Sequence, residues 1–187
     1  MSIDLEKRIL RSKMLEKRKL LTTHQVNEAS YSLLQNLNDI LSPAKNIAIY
    51  HAYKNEISLE QTIQYLLDSH KNVYTPIAYR SSRIMRFDLV NELSKNTVFA
   101  DENYNYQKEI ECYNLDLILL PLVAVDSAGY RLGQGGGYYD STFEERNPNT
   151  ILCGVGYQWQ QINSVPHDKF DIKLDRFVSD EKITYFK

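Results

Sequence analysis

With only two cysteines, Cys112 and Cys153, in 187 residues, the sequence cannot supply the disulfide framework of a small secreted module. It does not need one, because a chain of this length buries enough apolar surface to fold as one domain without covalent or metal staples. No apolar run reaches membrane length: the longest, 117–125, is interrupted by Pro121 and falls well short of the roughly 20 residues a spanning helix requires. Neither sign of charge dominates. With 22 Lys and Arg against 24 Asp and Glu and a formal net charge of -2, no global field draws the chain to nucleic acid or to an anionic membrane. The interleaved aromatics that accompany a basic RNA-binding helix are missing from the N-terminal segment as well. The first residues alternate in charge where a secretory signal would carry an apolar stretch, and together with the scarce cysteines this leads us to expect a cytoplasmic protein. No internal repeat, low-complexity tract or Gly/Pro/Ser-rich linker marks a second domain, so 1–187 is read as a single unit.

What the sequence does contain is an alternation of periods. At 100° per residue Ile3, Leu10, Met14 and Leu21 fall on one stripe, predicting an N-terminal helix flanked by Lys7, Arg11 and Arg18. Thr22 and Gln25 have capping-box spacing and open a second helix that ends near Leu41, before Ser42 and Pro43. Asn46 to Tyr50 reads as a buried strand; Ser58 with Gln61 is expected to cap a helix to about Leu67; Asn72 to Thr75 reads as the next strand. Ile84 to Val90 is a further strand, and most of Ser94 to Glu111 is left as loop. Leu115 to Val125 is the most apolar segment and is expected to form one central strand buried on both faces. After it come a glycine-rich turn, a helix from Tyr139 to Glu145 and a strand from Thr150 to Tyr157; the remainder reads as a tail. The expected fold is α/β: one domain, a mostly parallel central sheet flanked by helices, with an N-terminal helical pair. Such sheets bind ligands beyond the carboxyl ends of their strands.

Four of the seven glycines, Gly133, Gly135, Gly136 and Gly137, lie within the ten residues Arg131 to Asp140, RLGQGGGYYD. Glycine accepts positive φ and lets backbone N–H groups approach an anion, so a glycine cluster between a strand and a helix suits phosphate, and Arg131 adds charge. No Lys-Ser or Lys-Thr follows, which excludes a Walker loop, and the position is too late in the chain for a first Rossmann turn. Asp140 is suited either to hold Mg²⁺ beside the phosphates or to cap the helix. Tyr138 and Tyr139 offer rings for a pterin or adenine. His51, His70 and His167 lack metal-ligand spacing, and neither cysteine has the surroundings of a nucleophile.

RLGQGGGYYD resembles the signature of the 5-formyltetrahydrofolate cyclo-ligase family. Other segments agree with it in order along nearly the whole chain. Lys7 and Arg11, four residues apart on the first helix, match the family's phosphate-contacting lysine and arginine. Asn55-Glu56-Ile57 resembles the segment carrying its folate-contacting glutamate. The segment from Phe170 to Asp175 resembles one whose first aspartate, Asp171 in this chain, helps to hold magnesium. Gln134 stands where the family commonly has tyrosine or arginine, and Phe170 where many members have histidine.

The resemblance implies that Lys7, Arg11 and the loop Arg131, Leu132, Gly133, Gln134, Gly135, Gly136, Gly137, Tyr138 and Tyr139 bind ATP, with Lys7, Arg11 and Arg131 acting on the transferring phosphoryl group. It implies a folate side formed by His51, Glu56 and loop residues 134–138, and Mg²⁺ held by Asp140 and Asp171. The reaction implied is attack of the N5-formyl oxygen on the γ-phosphate, then attack of N10 on the activated formyl carbon with loss of phosphate. That chemistry needs no covalent nucleophile, in keeping with the absence of a serine or cysteine constellation. The expected partners are 5-formyltetrahydrofolate and ATP alone, with no nucleic acid and no membrane, and the chain acting as a monomer. Two competing readings are a non-catalytic nucleotide- or folate-binding module and a sugar-phosphate isomerase or CoA-transferase-like enzyme; ATP-dependent turnover separates both from a cyclo-ligase.

Overall fold

The computed structural model describes residues 2–90 and 109–186, so the greater part of the expected 94–111 loop lies outside the described residues. Helix α1 (Ile3–Lys19) begins with Asp4 and Glu6 and ends with Lys17, Arg18 and Lys19, charges that complement the helix dipole. Helix α2 (Thr23–Leu41) has the expected capping box, with Thr22 and Gln25 each satisfying the other's backbone N–H.

The main sheet runs β11-β10-β8-β5-β1-β2-β3-β4. Its center is parallel: β10 (Arg176–Val178), β8 (Ile151–Val155), β5 (Leu117–Pro121), β1 (Asn46–Ala48) and β2 (Asn72–Ile77). Antiparallel strands complete it, β11 (Ile183–Tyr185) beside β10, then β3 (Arg86–Leu89) beside β2 and β4 (Glu109–Ile110) beside β3. Strand period sorts the core. Ile47, Leu117, Leu119 and Cys153 face α2 and α3 (Glu60–Asp68), meeting Leu33, Leu37, Ile63 and Leu66. Their neighbors Ala48, Ile118, Leu120 and Leu152 face the other way, onto Phe87, Phe177 and Phe143 of α4 (Tyr138–Phe143). Burial on both faces explains the unbroken apolar character of β5.

The predicted single strand over 115–125 is two. Pro121 ends β5, and Gln160 donates from its side chain to the carbonyls of Leu122 (3.0 Å) and Val123 (2.9 Å), occupying acceptors that a continuing ladder would use. The chain then enters a second sheet, ordered β7-β6-β9, made of β6 (Ala124–Asp126), β7 (Arg131–Leu132) and β9 (Gln161–Ile162). Met14 of α1 packs on this sheet with Val123, Ala124, Leu132 and Val165. Buried Asp126 ties it together, accepting from the backbone N–H groups of Ala128, Tyr130 and Val165.

Three further expectations need correction. Ser58 is not the N-cap of α3: Leu59 holds that position without a side-chain cap bond, while the Ser58 hydroxyl accepts weakly from Glu60 N–H at 3.3 Å. Glu109–Ile110, assigned to the loop, is an edge strand. The segment read as a tail contributes β9, β10 and β11, strands of two or three residues that are too short to show a period.

Candidate functional site

A cleft of about 1660 Å³ opens between α1, the carboxyl ends of β1, β2 and β5, and the glycine-rich loop. Every residue singled out from the sequence, from Lys7 and Arg11 through His51 and Glu56 to the 131–140 loop and Asp171, lines it. The loop does not follow the central parallel strand, as expected; it leaves β7 of the small sheet, and the 122–132 hairpin carries it to the cleft.

Within the loop Gly135 and Gly137 have φ of +101° and +70°, values that favor glycine. Arg11 lies across it: its Nε–H donates to the Gly133 carbonyl at 2.9 Å, and a Cβ built on Gly135 would sit 3.5 Å from the Arg11 guanidinium carbon. Burial depresses the pKa of Arg11 from its ordinary value. A Cβ on Gly136 would meet the ring of Tyr138 at 2.9 Å. The loop therefore presents backbone to the cleft on one side and is closed by side chains on the others.

Lys7 and Asp171, expected in separate roles, meet in one ion pair at 2.5 Å, and Lys7 also contacts Asp168 at 3.1 Å. Burial lowers the ammonium pKa, but hydrogen bonds and charge from the two aspartates outweigh it, and the net shift is upward. Asp168 is correspondingly held below its ordinary value, first by the Phe170 backbone N–H and then by Lys7. Asp140 accepts from Arg131 at 3.2 Å and from the Ile172 N–H at 3.3 Å, bringing it beside the Asp171 segment. It makes no cap bond to α4, whose N-cap is Gly137. Arg131 is buried, packs 5.3 Å over the Tyr139 ring, and leaves its Nε without a partner. Tyr139 also stacks against Phe143, and burial pushes its phenol well above the ordinary range. Among the described residues no cluster of three His, Cys, Asp or Glu side chains could hold a metal by itself. Asp140 and Asp171 both line the cleft, where Asp140 accepts from Arg131 and Asp171 from Lys7 and the Asp168 N–H; one or two carboxylates completed by phosphates and water are what a Mg²⁺ ion would require of this site.

On the opposite side the turn before Glu56 holds Lys54 and Asn55 at φ of +46° and +59°. Asparagine tolerates this conformation, and here its side chain donates to the Arg18 (3.3 Å) and Leu21 (3.1 Å) carbonyls at the end of α1 while its carbonyl accepts from Tyr157 Oη–H at 2.9 Å. The Glu56 carboxylate is 8% exposed; it accepts from Tyr53 N–H at 3.0 Å and Gln134 Nε2–H at 3.2 Å, and lies 3.3 Å from Arg18 Nη1. Burial raises its pKa, against the opposing charge of Arg18. His51 is half-buried at the same edge, its pKa lowered by burial.

Among the residues that the residue types alone did not single out, Arg8, Arg83 and Asp168 line the cleft, and Arg18, outside the lining, contacts Glu56. Lys7, Arg11, Met14 and Arg18 fall within about 60° on a helical projection, but the apolar stripe of Ile3, Leu10, Met14 and Leu21 is narrower, at about 40°, so position on the helix alone does not set Arg18 apart. Asp168 lies three residues before Asp171 in a segment without strong period, where nothing but the fold selects it.

A profile of the 5-formyltetrahydrofolate cyclo-ligase family matches residues 4–180. The chain belongs to that family. A cyclo-ligase of Haemophilus influenzae is 33% identical over 174 residues, covering 88% of this chain and 92% of the relative. Two solved methenyltetrahydrofolate synthetases are similar in fold at 26% identity. One, from Mycoplasma pneumoniae, has a TM-score of 0.78 over 94% of this chain and 99% of its own; the other, from Aquifex aeolicus, has 0.81 over 97% and 93%. These likenesses extend over nearly the full length of the cyclo-ligase chains, and the cleft residues come from both ends of it, from Lys7 to Asp171.

Proposed function

We propose that this chain catalyses the ATP-dependent cyclisation of 5-formyltetrahydrofolate to 5,10-methenyltetrahydrofolate, releasing ADP and phosphate. The observation that carries the reading is the convergence, in one cleft, of the glycine loop, Arg11 and Lys7 on one side and the buried carboxylate of Glu56 on the other. A polyphosphate at the loop and a polar heterocycle at Glu56 would lie side by side in a single cavity, since Gln134 of the loop donates to Glu56, as a reaction between them requires.

In this reading the backbone of 133–137 approaches the phosphates, Arg11 spans the loop and the phosphates, and Arg131 steadies the loop while adding positive charge. Lys7 joins them by exchanging its aspartate partners for phosphate oxygens. Asp140 and Asp171 would hold Mg²⁺, which supplies further neutralisation of the phosphate oxygens when bound. Glu56 orients the pterin, with His51 and residues 134–138 completing the folate wall. The formyl oxygen then displaces ADP from the γ-phosphorus; N10 attacks the formyl carbon, gives up its proton to solvent, and phosphate leaves with the C–O bond's electrons. Positioning and charge neutralisation carry both steps, so no protein nucleophile is needed. The test is purified protein with 5-formyltetrahydrofolate, ATP and Mg²⁺: methenyltetrahydrofolate should accumulate, and omitting ATP or adding excess chelator should abolish it. Formation of product without ATP would instead favor an isomerase- or transferase-like activity, and ligand binding without turnover a non-catalytic module.

A further inference from the structure

Arg18 is an arginine buried to 3% exposure at the end of a helix that is otherwise charged and solvated. Such burial is costly unless the charge is paired, and its Nη1 makes no hydrogen bond of good geometry despite lying 3.3 Å from Glu56 Oε1. The same carboxylate oxygen accepts from Gln134 of the glycine loop, and the turn that carries Glu56 is pinned to the end of α1 by Asn55. A continuous chain of polar contacts, Arg18 to Glu56 to Gln134, therefore links α1, the Glu56 turn and the loop.

We propose that Arg18 is a positioning residue for the folate half of the cleft, fixing the charge and aim of Glu56. The inference rests on the assignment of Glu56 to the folate side. Its physical basis is that burial alone drives the Glu56 carboxyl toward its neutral form, and Arg18 is the charge that opposes this. The other titratable groups whose charges are felt between them and Glu56 are Tyr50, Tyr139 and Tyr157, all phenols pushed upward by burial, Tyr157 to about 12, so they stay neutral near neutral pH. His51 shares the cleft, and its own titration cancels when variant and wild type are compared at each pH.

The sign of the pH effect follows. A raised carboxyl pKa moves the titration of Glu56 to higher pH, and removing Arg18 moves it further; increasing pH restores the carboxylate. Arg18→Met should therefore weaken equilibrium binding of 5-formyltetrahydrofolate, measured without ATP, on the order of tenfold or more at neutral pH. The deficit should narrow as pH rises, and ATP affinity measured without folate should stay near wild type. Arg18→Lys, which retains the charge but not the planar fork, should recover part of the loss and carries the test if Arg18→Met does not fold. In a Glu56→Gln background the Arg18 substitution should cost little more, because it acts through that carboxylate. Additive losses, or a pH-independent loss, would assign Arg18 a structural role and overturn the proposal. If Glu56→Gln weakens folate binding while the folded Arg18 variants bind like wild type, the proposal falls and the assignment of Glu56 stands. If Glu56→Gln leaves folate binding unchanged, the assignment itself is wrong and the inference falls with it.

Discussion

Gly135 adopts a φ of +101°, so Gly135→Ala should strain the backbone by about 1–3 kcal/mol while setting a methyl in contact with the Arg11 guanidinium that crosses the loop. Titrations with ATP should show weakened affinity in a protein whose melting temperature falls only modestly; unchanged affinity would mean that phosphate does not approach this loop. Gly136 is a less direct probe than its place in the motif suggests, since a side chain there meets the Tyr138 ring first. Asp140→Asn keeps the shape of the side chain and its contact with the Ile172 N–H but removes the charge beside Arg131. It should lower kcat and shift the magnesium titration to higher concentration with the fold intact, and an unshifted titration would take Asp140 out of the metal site. At this scale the sequence was legible where a residue type is scarce or constrained. Glycines cluster only where the backbone needs them, whereas Arg18 was hidden because a basic residue on a charged helix resembles its solvated neighbors until the fold buries it.

The elements explain why these side chains meet. Helix α1 is docked at its start by Lys7 on Asp168 and Asp171, along its middle by Met14 on the small sheet, and at its end by Asn55 and Glu56. Its first anchor is pH-dependent in a direction that the shifts dictate. Asp168 has a lowered pKa, so its contribution is present above the ordinary value of 3.8 and is lost as pH falls through the lower folded value. Lys7 has a raised pKa, so its contribution is present below 10.5 and is lost as pH rises through the higher folded value. Protection factors in α1, exchange rates referred to the intrinsic rate at each pH, should accordingly be highest between these limits, and in Lys7→Met the acid dependence should flatten. Leu33, fully buried between α2 and the sheet, supplies the contrast: Leu33→Ala should cost about 2–5 kcal/mol in stability yet leave KM for both substrates near wild type. Helices α1 and α2 and the parallel strands β1, β2, β5 and β8 were legible because period and capping act locally. The division at Pro121 was not, because it depends on Gln160, distant in sequence, taking two carbonyls. The short strands after 160 were likewise hidden, since two or three residues carry no period and their pairing is decided by β8 and β6.

Across the whole molecule, the fold gathers residues from position 7 to position 171 around one cleft, and its two walls belong to structurally different parts. The loop proposed to hold phosphate leaves the small sheet, whereas the turn that carries Glu56, proposed to hold folate, follows β1; α1 touches both, and Gln134 of the loop donates to Glu56. Such proximity suits a reaction that must bring a γ-phosphate to a formyl oxygen. Separate walls also predict separable losses: Glu56→Gln should weaken folate binding and leave ATP affinity close to wild type, and the reverse pattern would interchange the two halves of the cleft. The central claim is that both ligands react within this cavity. Its most direct test is to follow methenyltetrahydrofolate and ADP together in one reaction containing 5-formyltetrahydrofolate, ATP and Mg²⁺. Both should form in a one-to-one ratio, neither should form when either substrate is omitted, and Glu56→Gln and Gly135→Ala should each depress the two products in parallel. Methenyltetrahydrofolate without ADP, or ADP formed equally well without folate, would contradict it.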